Sequence, residues 1–116
     1  MRYATWFWRN LQGIRLNTVM HIACADFVLD LPKGLNTELG ERGSGLSEGQ
    51  SQRIAIARGL LHSGDILLLD EISSSLDEPT ERELYRRLFA AYPAKTMLFI
   101  THRPTVTAQC DEVVSL

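Results

Sequence analysis

The chain has 116 residues, of which 45% are hydrophobic and 22% charged, a composition typical of one globular domain with a modest core. Its net charge of -2 offers no overall attraction to nucleic-acid phosphates, which argues against DNA or RNA as a partner. No run reaches the roughly 18 apolar residues of a membrane-spanning helix. Cys24 and Cys110 lack metal-ligand spacing, so we interpret them as buried thiols in a reducing compartment.

The opening segment, residues 1–22, is basic and aromatic. Its only charges are Arg2, Arg9 and Arg15, and they stand among aromatic residues such as Trp6 and Phe7. This mixture is compatible with an interfacial helix on a bilayer, and equally with a helix packed on the domain or a disordered end. A change of composition near His21 predicts a boundary that separates 1–22 from a second region, 23–116.

Helix signals recur along the second region. Pro32 ends a short helix predicted over Ala23 to Leu31, and Gly40 to Gly45 forms a glycine-rich loop. Ser47 followed three residues later by Gln50 is typical of a capping box, which predicts a helix from Glu48 to Leu61. The remaining helix predictions are one capped by Asp77 that ends before Pro93, and a short one over Pro104 to Gln109.

Two runs are apolar on both faces, as strands of a covered parallel sheet are. They are Ile66 to Leu69, which ends at Asp70-Glu71, and Thr96 to Thr101, which ends before His102. A last strand is predicted over Glu112 to Leu116. The helix between the two runs makes a strand-helix-strand unit, so the sequence predicts an α/β fold with parallel strands and flanking helices.

Candidate chemistry gathers where these strands end. The carboxyl ends of neighbouring parallel strands open on one edge of a sheet, where Asp70, Glu71 and His102 could meet around one phosphate. Ser47 adds a hydroxyl and the positive end of a helix dipole. Each signal is weak by itself, because an acidic residue often simply ends a strand and a serine often simply caps a helix.

The order of the motifs is more specific, and it resembles the ATP-binding-cassette (ABC) family over about the last 90 residues. Leu46 to Gln50 (LSEGQ) resembles the family's signature, and Ile66 to Glu71 (ILLLDE) resembles its Walker B strand. Ser74 to Asp77 is similar to the D-loop, and Thr101 to Arg103 to the switch-histidine region. Gly40 to Gly43 is similar to a loop of exporter-type members.

The resemblance implies a fold and a set of roles. The fold would be part of a three-layer P-loop NTPase-like domain, and the cofactors would be ATP and Mg²⁺. Asp70 would bind the magnesium ion, Glu71 would activate the attacking water, and His102 would contact the γ-phosphate. In a head-to-tail dimer with a second ABC ATPase domain, the partner's ATP would be bound by Ser47, Gly49 and Gln50, and Asp77 would cross the interface.

One family motif does not occur in these 116 residues: no G-x-x-x-x-G-K-[ST] loop is present, and the only lysines are Lys33 and Lys95. We therefore expect the chain alone to be inactive and to self-associate, as an incomplete domain. Within residues 1–22, the stretch from Trp6 to Ile22 instead resembles the segment that precedes the first membrane helix of exporter-type members.

Three functional hypotheses follow. The first is an ATP-hydrolysing part of an ABC exporter, which would act with a membrane domain at the cytoplasmic face of the membrane. A second is a non-catalytic module that docks on a complete ATPase. The third, a DNA-repair ATPase of related type, is disfavoured because the chain has neither sustained heptads nor a basic surplus. The sequence does not indicate the transported substrate or the direction of transport.

Overall fold

The computed structural model describes residues 14–34 and 45–116. Within these ranges the helices and strands follow the predicted α/β order and confirm the fold class. They are helix α1 (Ile14–Ile22), a 3-10 helix (Asp26–Asp30), helix α2 (Glu48–Leu61), strand β1 (Ile66–Asp70), helix α3 (Glu78–Ala91), strand β2 (Thr96–Ile100) and helix α4 (Pro104–Thr107). The loop from Gly40 to Gly43, which was compared with an exporter loop, lies outside the described residues.

The helix predicted over Ala23 to Leu31 is present only as the 3-10 helix Asp26–Asp30, and α1 ends just before it. Cys24 adopts a left-handed backbone conformation with φ of 56°, and this stops α1 at Ile22. The amide of Cys24 donates to the carbonyl of His21 at 3.1 Å, and that of Ala25 donates to Met20 at 2.7 Å. These two bonds form the pattern of a Schellman motif, in which glycine is usual. Because cysteine occupies the glycine position, the stop is not recognisable from the sequence, and only a 3-10 helix follows.

Helices α2 and α3 begin where their caps predict. Ser47 and Gln50 form the reciprocal capping box, with bonds of 3.0 and 3.1 Å between each side chain and the other residue's backbone amide. Asp77 accepts the amide of Thr80 at 3.2 Å, and Pro79 stands in the first turn of α3. Local capping chemistry therefore fixes where both helices begin.

The sheet consists of β1 and β2, which pair in parallel with Ile66 opposite Thr96 and Asp70 opposite Ile100. One face is packed: Leu67 and Leu69 are buried, and Phe99 packs against the core. The opposite face is open among the described residues. Its apolar side chains are 49 to 69% exposed and comprise Ile66, Leu68, Leu98 and Ile100. The prediction of a sheet covered on both faces is therefore met on one face only.

The strand predicted over Glu112 to Leu116 is wrong. Residues 112–116 carry no strand assignment, and all of them are exposed. A strand requires a neighbour that pairs with its backbone amides and carbonyls. In the part of the chain that the structure describes, β1 and β2 pair only with each other, so the apolar pattern of this tail finds no ladder to join.

Helix α1 belongs to the same core as the later elements. Leu16, Val19 and Met20 are buried with residues of α2 and α3. For residues 14–22 the structure thus shows a helix packed on the domain, while the boundary after residue 22 stays a prediction. Trp6 and Phe7 lie outside the described residues. Within 14–34 and 45–116, no helix is long and apolar enough to cross a bilayer.

A buried ionic network lies beneath the sheet end. Glu81 of α3 is only 2% exposed, and its carboxylate pairs with the guanidinium of Arg103. Ser73, also buried, hydrogen-bonds the hydroxyl of Tyr85 at 2.9 Å. Burial alone would raise the pKa of Glu81, but hydrogen bonds from Arg103, Ser73 and Thr105 outweigh it and hold the pKa below its ordinary value. The network joins α3 to the loop after β1 and to the segment after β2.

This network makes stability sensitive to acid. Because the folded-state pKa of Glu81 is lowered, its stabilisation is present above the unfolded pKa and is lost as pH falls through the folded value. We expect Glu81→Gln to lower the free energy of unfolding by about 1 to 3 kcal/mol at pH 7, and by less at pH 3. Urea unfolding at several pH values measures this. Glu78→Gln, at an exposed position of the same helix, is the control, and equal pH dependence of both variants would contradict the assignment.

The open sheet face predicts self-association. An uncovered apolar face beside unpaired strand edges favours contact with another chain. We expect the Leu68→Thr/Leu98→Thr double variant to increase the monomer fraction in size-exclusion chromatography with light scattering. Leu67→Thr, on the buried face of β1, should instead lower the melting temperature without restoring monomers. If the double variant associates as strongly as the unsubstituted chain, the contact lies elsewhere.

Candidate functional site

The candidate site lies where β1 and β2 end. The amide of Glu71, the first residue after β1, donates to the carbonyl of Ile100 at 2.9 Å and so continues the ladder beyond Asp70. This bond places Glu71 beside the segment that follows β2. A carboxylate oxygen of Glu71 then lies 3.0 Å from Nδ1 of His102. The structure thus brings together two of the residues that the sequence placed at the strand ends.

The backbone of Glu71 is held in an unusual conformation. Its φ of 48° is left-handed, a region that non-glycine residues rarely occupy and that costs about 1 to 3 kcal/mol. Two hydrogen bonds hold it there: the Glu71 amide bonds Ile100, and the Glu71 carbonyl accepts the amide of Ser74 at 3.4 Å. Conformations of this kind gather at functional sites, where the surrounding structure determines them. The backbone thus gives Glu71 a geometry that strand continuation would not produce.

The Glu71–His102 pair faces solvent. The Glu71 side chain is 37% exposed and that of His102 is 85% exposed. A carboxylate with one oxygen bonded to the imidazole keeps acceptor capacity for a water molecule. The pair can therefore present a base and an imidazole to one reacting group in the space above the sheet edge.

Asp70 occupies a different environment from Glu71. It is exposed, and its carboxylate makes no hydrogen bond or ion pair with another described residue. The described ranges contain no group of three or more His, Cys, Asp or Glu side chains that could hold a metal ion. Mg²⁺ does not need such a group, since one or two carboxylates together with substrate phosphates and water commonly bind it. A free carboxylate at the strand end fits that ion.

An open groove leads away from these carboxylates. It has a volume of about 450 Å³ and lies between α2 and β1. Gln52 and Gly59 line it from α2, Ile66 and Leu68 from β1, and Asp70 at one end. The groove therefore has mixed apolar and polar walls, and Asp70 and Glu71 belong to its lining at the site.

The predicted signature residues lie at the start of α2. Ser47 is exposed, and its hydroxyl is engaged with the amide of Gln50 as the helix cap. Gly49 is buried, and a Cβ at this position would lie 2.8 Å from the carbonyl oxygen of Ser75. A side chain there would push α2 away from the loop after β1. Close packing is thus a structural reason for this glycine, beside any role with a ligand.

Asp77 is also engaged as a cap. Its two carboxylate oxygens accept the hydroxyl of Thr80 at 2.7 Å and the amide of Thr80 at 3.2 Å. The hydrogen bonds from Thr80 lower the pKa of Asp77 below its ordinary value. Ser47 and Asp77 make no hydrogen bond to the Glu71–His102 pair in the described structure. Both cap side chains are therefore engaged within their own helix starts.

Sequence reasoning missed the residues that connect these parts. Gln52 of α2 bonds both Ser74 and Ser75, and Arg103 bonds Ser74 and Glu81. Glu81 could have been found, because it stands one turn before Tyr85 on the apolar side of α3, where a glutamate requires a partner. Gln52 gave no such signal, since its partners are more than 20 residues away.

The chain is similar to known proteins both in sequence and in structure. The sequence profile of the family described as "ABC transporter" matches residues 11–74, more than half of the chain. The chain is 44% identical over 89 residues to an "ATP-dependent lipid A-core flippase" of Vibrio cholerae, covering 77% of this chain and 15% of that protein. It is also 44% identical over 94 residues to an "ATM1-type heavy metal exporter" of Novosphingobium aromaticivorans, covering 81% of this chain and 16% of that protein.

A solved structure supports the same relationship. A bacterial Atm1-family ABC exporter with ATP bound superposes with a TM-score of 0.81 at 36% sequence identity, covering 93% of this chain and 19% of that chain. The chain therefore spans only about a sixth of the length of the curated relatives it matches. The matched profile, the sequence identities and the shared fold agree, and the chain belongs to the ABC transporter family.

Proposed function

We propose that the chain is the C-terminal part of the ATPase domain of an exporter-type ABC transporter, and that it hydrolyses ATP once a phosphate-binding loop is supplied. The observation that carries this proposal is the Glu71–His102 contact of 3.0 Å beside the free carboxylate of Asp70. Family membership implies nucleotide binding, and the residues at the strand ends are suited to hydrolysing the bound nucleotide.

Each strand-end residue has one role in this proposal. Glu71 orients the attacking water and accepts its proton, and the bonded imidazole of His102 contacts the γ-phosphate. Asp70 holds the magnesium ion, which when bound neutralises charge on the phosphates. Glu71 and Asp70 are adjacent in sequence but differ in backbone conformation, so their carboxylates can serve the water and the ion separately.

The start of α2 serves a second nucleotide in the same proposal. Ser47, Gly49 and Gln50 lie at the positive end of a 14-residue helix, where the dipole favours an anion. They would face the ATP of a second ABC ATPase domain in a head-to-tail dimer, and Asp77 would lie at that interface.

The lysines of the chain do not replace a phosphate-binding loop. Lys95 precedes β2, at the opposite end of the strand from the site, and its ammonium group donates to Ser63 and to the carbonyl of Gly64 at 2.7 Å each. Lys33 lies in the turn after the 3-10 helix. In this proposal the loop is supplied by another polypeptide segment. The groove and open sheet face offer the surface on which such a segment would pack.

Transport is the remaining part of the proposal. ATP hydrolysis would be coupled to export through a membrane domain, with this chain at the cytoplasmic face of the membrane. Similarity to a flippase and to a heavy metal exporter supports an exporter, while their different cargoes leave the transported substrate unassigned.

The first test restores the loop in trans. We expect negligible phosphate release from the chain alone with Mg²⁺ and millimolar ATP, because positioning and electrostatic stabilisation supply most of the catalysis of phosphoryl transfer. Adding the separately produced N-terminal half of a relative's ATPase domain, which carries the loop, should raise turnover at least tenfold over either part. Full activity of the chain alone, or no gain from the mixture, would contradict the proposal.

The second test distinguishes the roles of Glu71 and Asp70 in the same reconstituted mixture. Glu71→Gln should preserve ATP binding and lower kcat by about 100-fold or more, because the amide keeps the shape but is not a base. Asp70→Asn should instead raise the magnesium concentration required for half-maximal activity. Glu112→Gln, at an exposed position outside the site, is the matched control. Equal and mild effects of the first two changes would refute the assigned roles.

A further inference from the structure

The loop that follows Glu71 is held from one side by helix α2. The side-chain amide of Gln52 donates from Nε2 to the Ser74 hydroxyl at 2.8 Å and accepts the Ser75 amide through Oε1 at 3.2 Å. One turn earlier, Gly49 brings the helix backbone close to the carbonyl of Ser75. Both functional groups of Gln52 are therefore used on two consecutive residues of one loop.

The same loop is held from the other side by Arg103. This residue immediately follows His102, and its guanidinium donates to the carbonyl of Ser74 at 3.2 Å. The guanidinium is itself fixed by the buried carboxylate of Glu81, and the Arg103 amide donates to the hydroxyl of Thr101 at 3.0 Å. The segment that carries His102 is thus attached to the loop through a side chain with restricted freedom.

Ser74 is the point at which these attachments meet. Its hydroxyl accepts from Gln52, its carbonyl accepts from Arg103, and its amide donates to the carbonyl of Glu71. A shift of α2 would therefore displace Ser74, and with it the backbone of Glu71 and the segment of His102. Gln52 supplies the side-chain bonds from α2 to Ser74 and Ser75.

We propose that Gln52 and Arg103 are positioning residues, which connect the start of α2 to the Glu71–His102 pair through Ser74 and Ser75. The proposal rests on the function proposed above, because it links ligand binding at the start of α2 to the geometry of the Glu71–His102 pair. Gln52 would transmit the position of the signature helix, and Arg103 would transmit the position of the loop to His102. Neither residue would touch the nucleotide.

Hydrogen exchange in the full chain tests the connection itself. We expect Gln52→Leu to speed exchange of the Ser75 amide about five- to tenfold, as loss of one hydrogen bond does, and that of the Arg103 amide by about threefold. Core amides of α3, such as Leu88, should change by less than twofold. Gln52→Glu keeps the acceptor for the Ser75 amide and can accept the proton of the Ser74 hydroxyl in place of donating to it, so it should restore protection. Gln109→Leu, at an exposed glutamine bonded only to Thr105, is the matched control.

Two results would overturn the inference. One is an unchanged exchange rate of the Ser75 amide. The other is faster exchange at the Ser75 amide with no change in the exchange rate of the Arg103 amide. If Gln52→Leu also speeds exchange of core amides, Gln52→Asn is compared instead, since it stays polar but is one methylene too short to reach the loop.

Kinetics of the reconstituted pair then distinguishes positioning from mere support. Gln52→Leu should lower kcat at least tenfold and leave the KM for ATP within twofold, and Gln52→Glu should recover most of kcat. An unchanged kcat, or a loss confined to KM, would refute a positioning role. If the mixture of the unsubstituted chain and the loop-bearing half is inactive, the proposed function is refuted instead. The hydrogen-exchange result would still decide whether Gln52 and Arg103 are connected.

Discussion

Parallel pairing of β1 with β2 sets the geometry on which the candidate site depends. The register places Asp70 opposite Ile100, and one further hydrogen bond from Glu71 to Ile100 carries the alignment past the strand end. Without that register, Glu71 and His102 would be two polar residues 31 positions apart in the sequence. Because the ladder is parallel, both strands end on the same edge, and the residue after each strand can contribute to one site.

Among the described residues, the same sheet has one packed face and one open face. Helices α1, α2 and α3 share one core with a single face of β1 and β2, while the other face exposes four large apolar side chains. Burial contributes about 25 cal/mol per Å² of apolar surface, so an open face forgoes part of the stabilisation that its sequence pattern is suited to provide. The pattern of Ile66 and Leu68 is that of a strand covered on both sides.

Local signals made part of the structure predictable. The starts of α2 and α3 follow from Ser47, Gln50 and Asp77, because a cap acts on residues within one turn. The end of α1 was not predictable, because Cys24 occupies the left-handed position in which glycine usually marks the end of a helix. The predicted terminal strand failed for another reason: strand formation depends on a partner, which an apolar pattern does not specify.

The same distinction between local and distant partners applies to the site. Asp70, Glu71 and His102 were identifiable from strand ends and motif order, but the left-handed backbone of Glu71 and the attachments of Gln52 were not. Left-handed glutamate is locally unfavourable, and it persists because bonds from distant segments hold the adjoining loop. Ser74 is hydrogen-bonded to Gln52 of α2, to Arg103 beside His102, and to Glu71 itself. The strained residue and the residues that restrain it therefore form one unit: loosening Ser74 would allow Glu71 to relax toward an ordinary backbone conformation, and its carboxylate would leave the position beside His102.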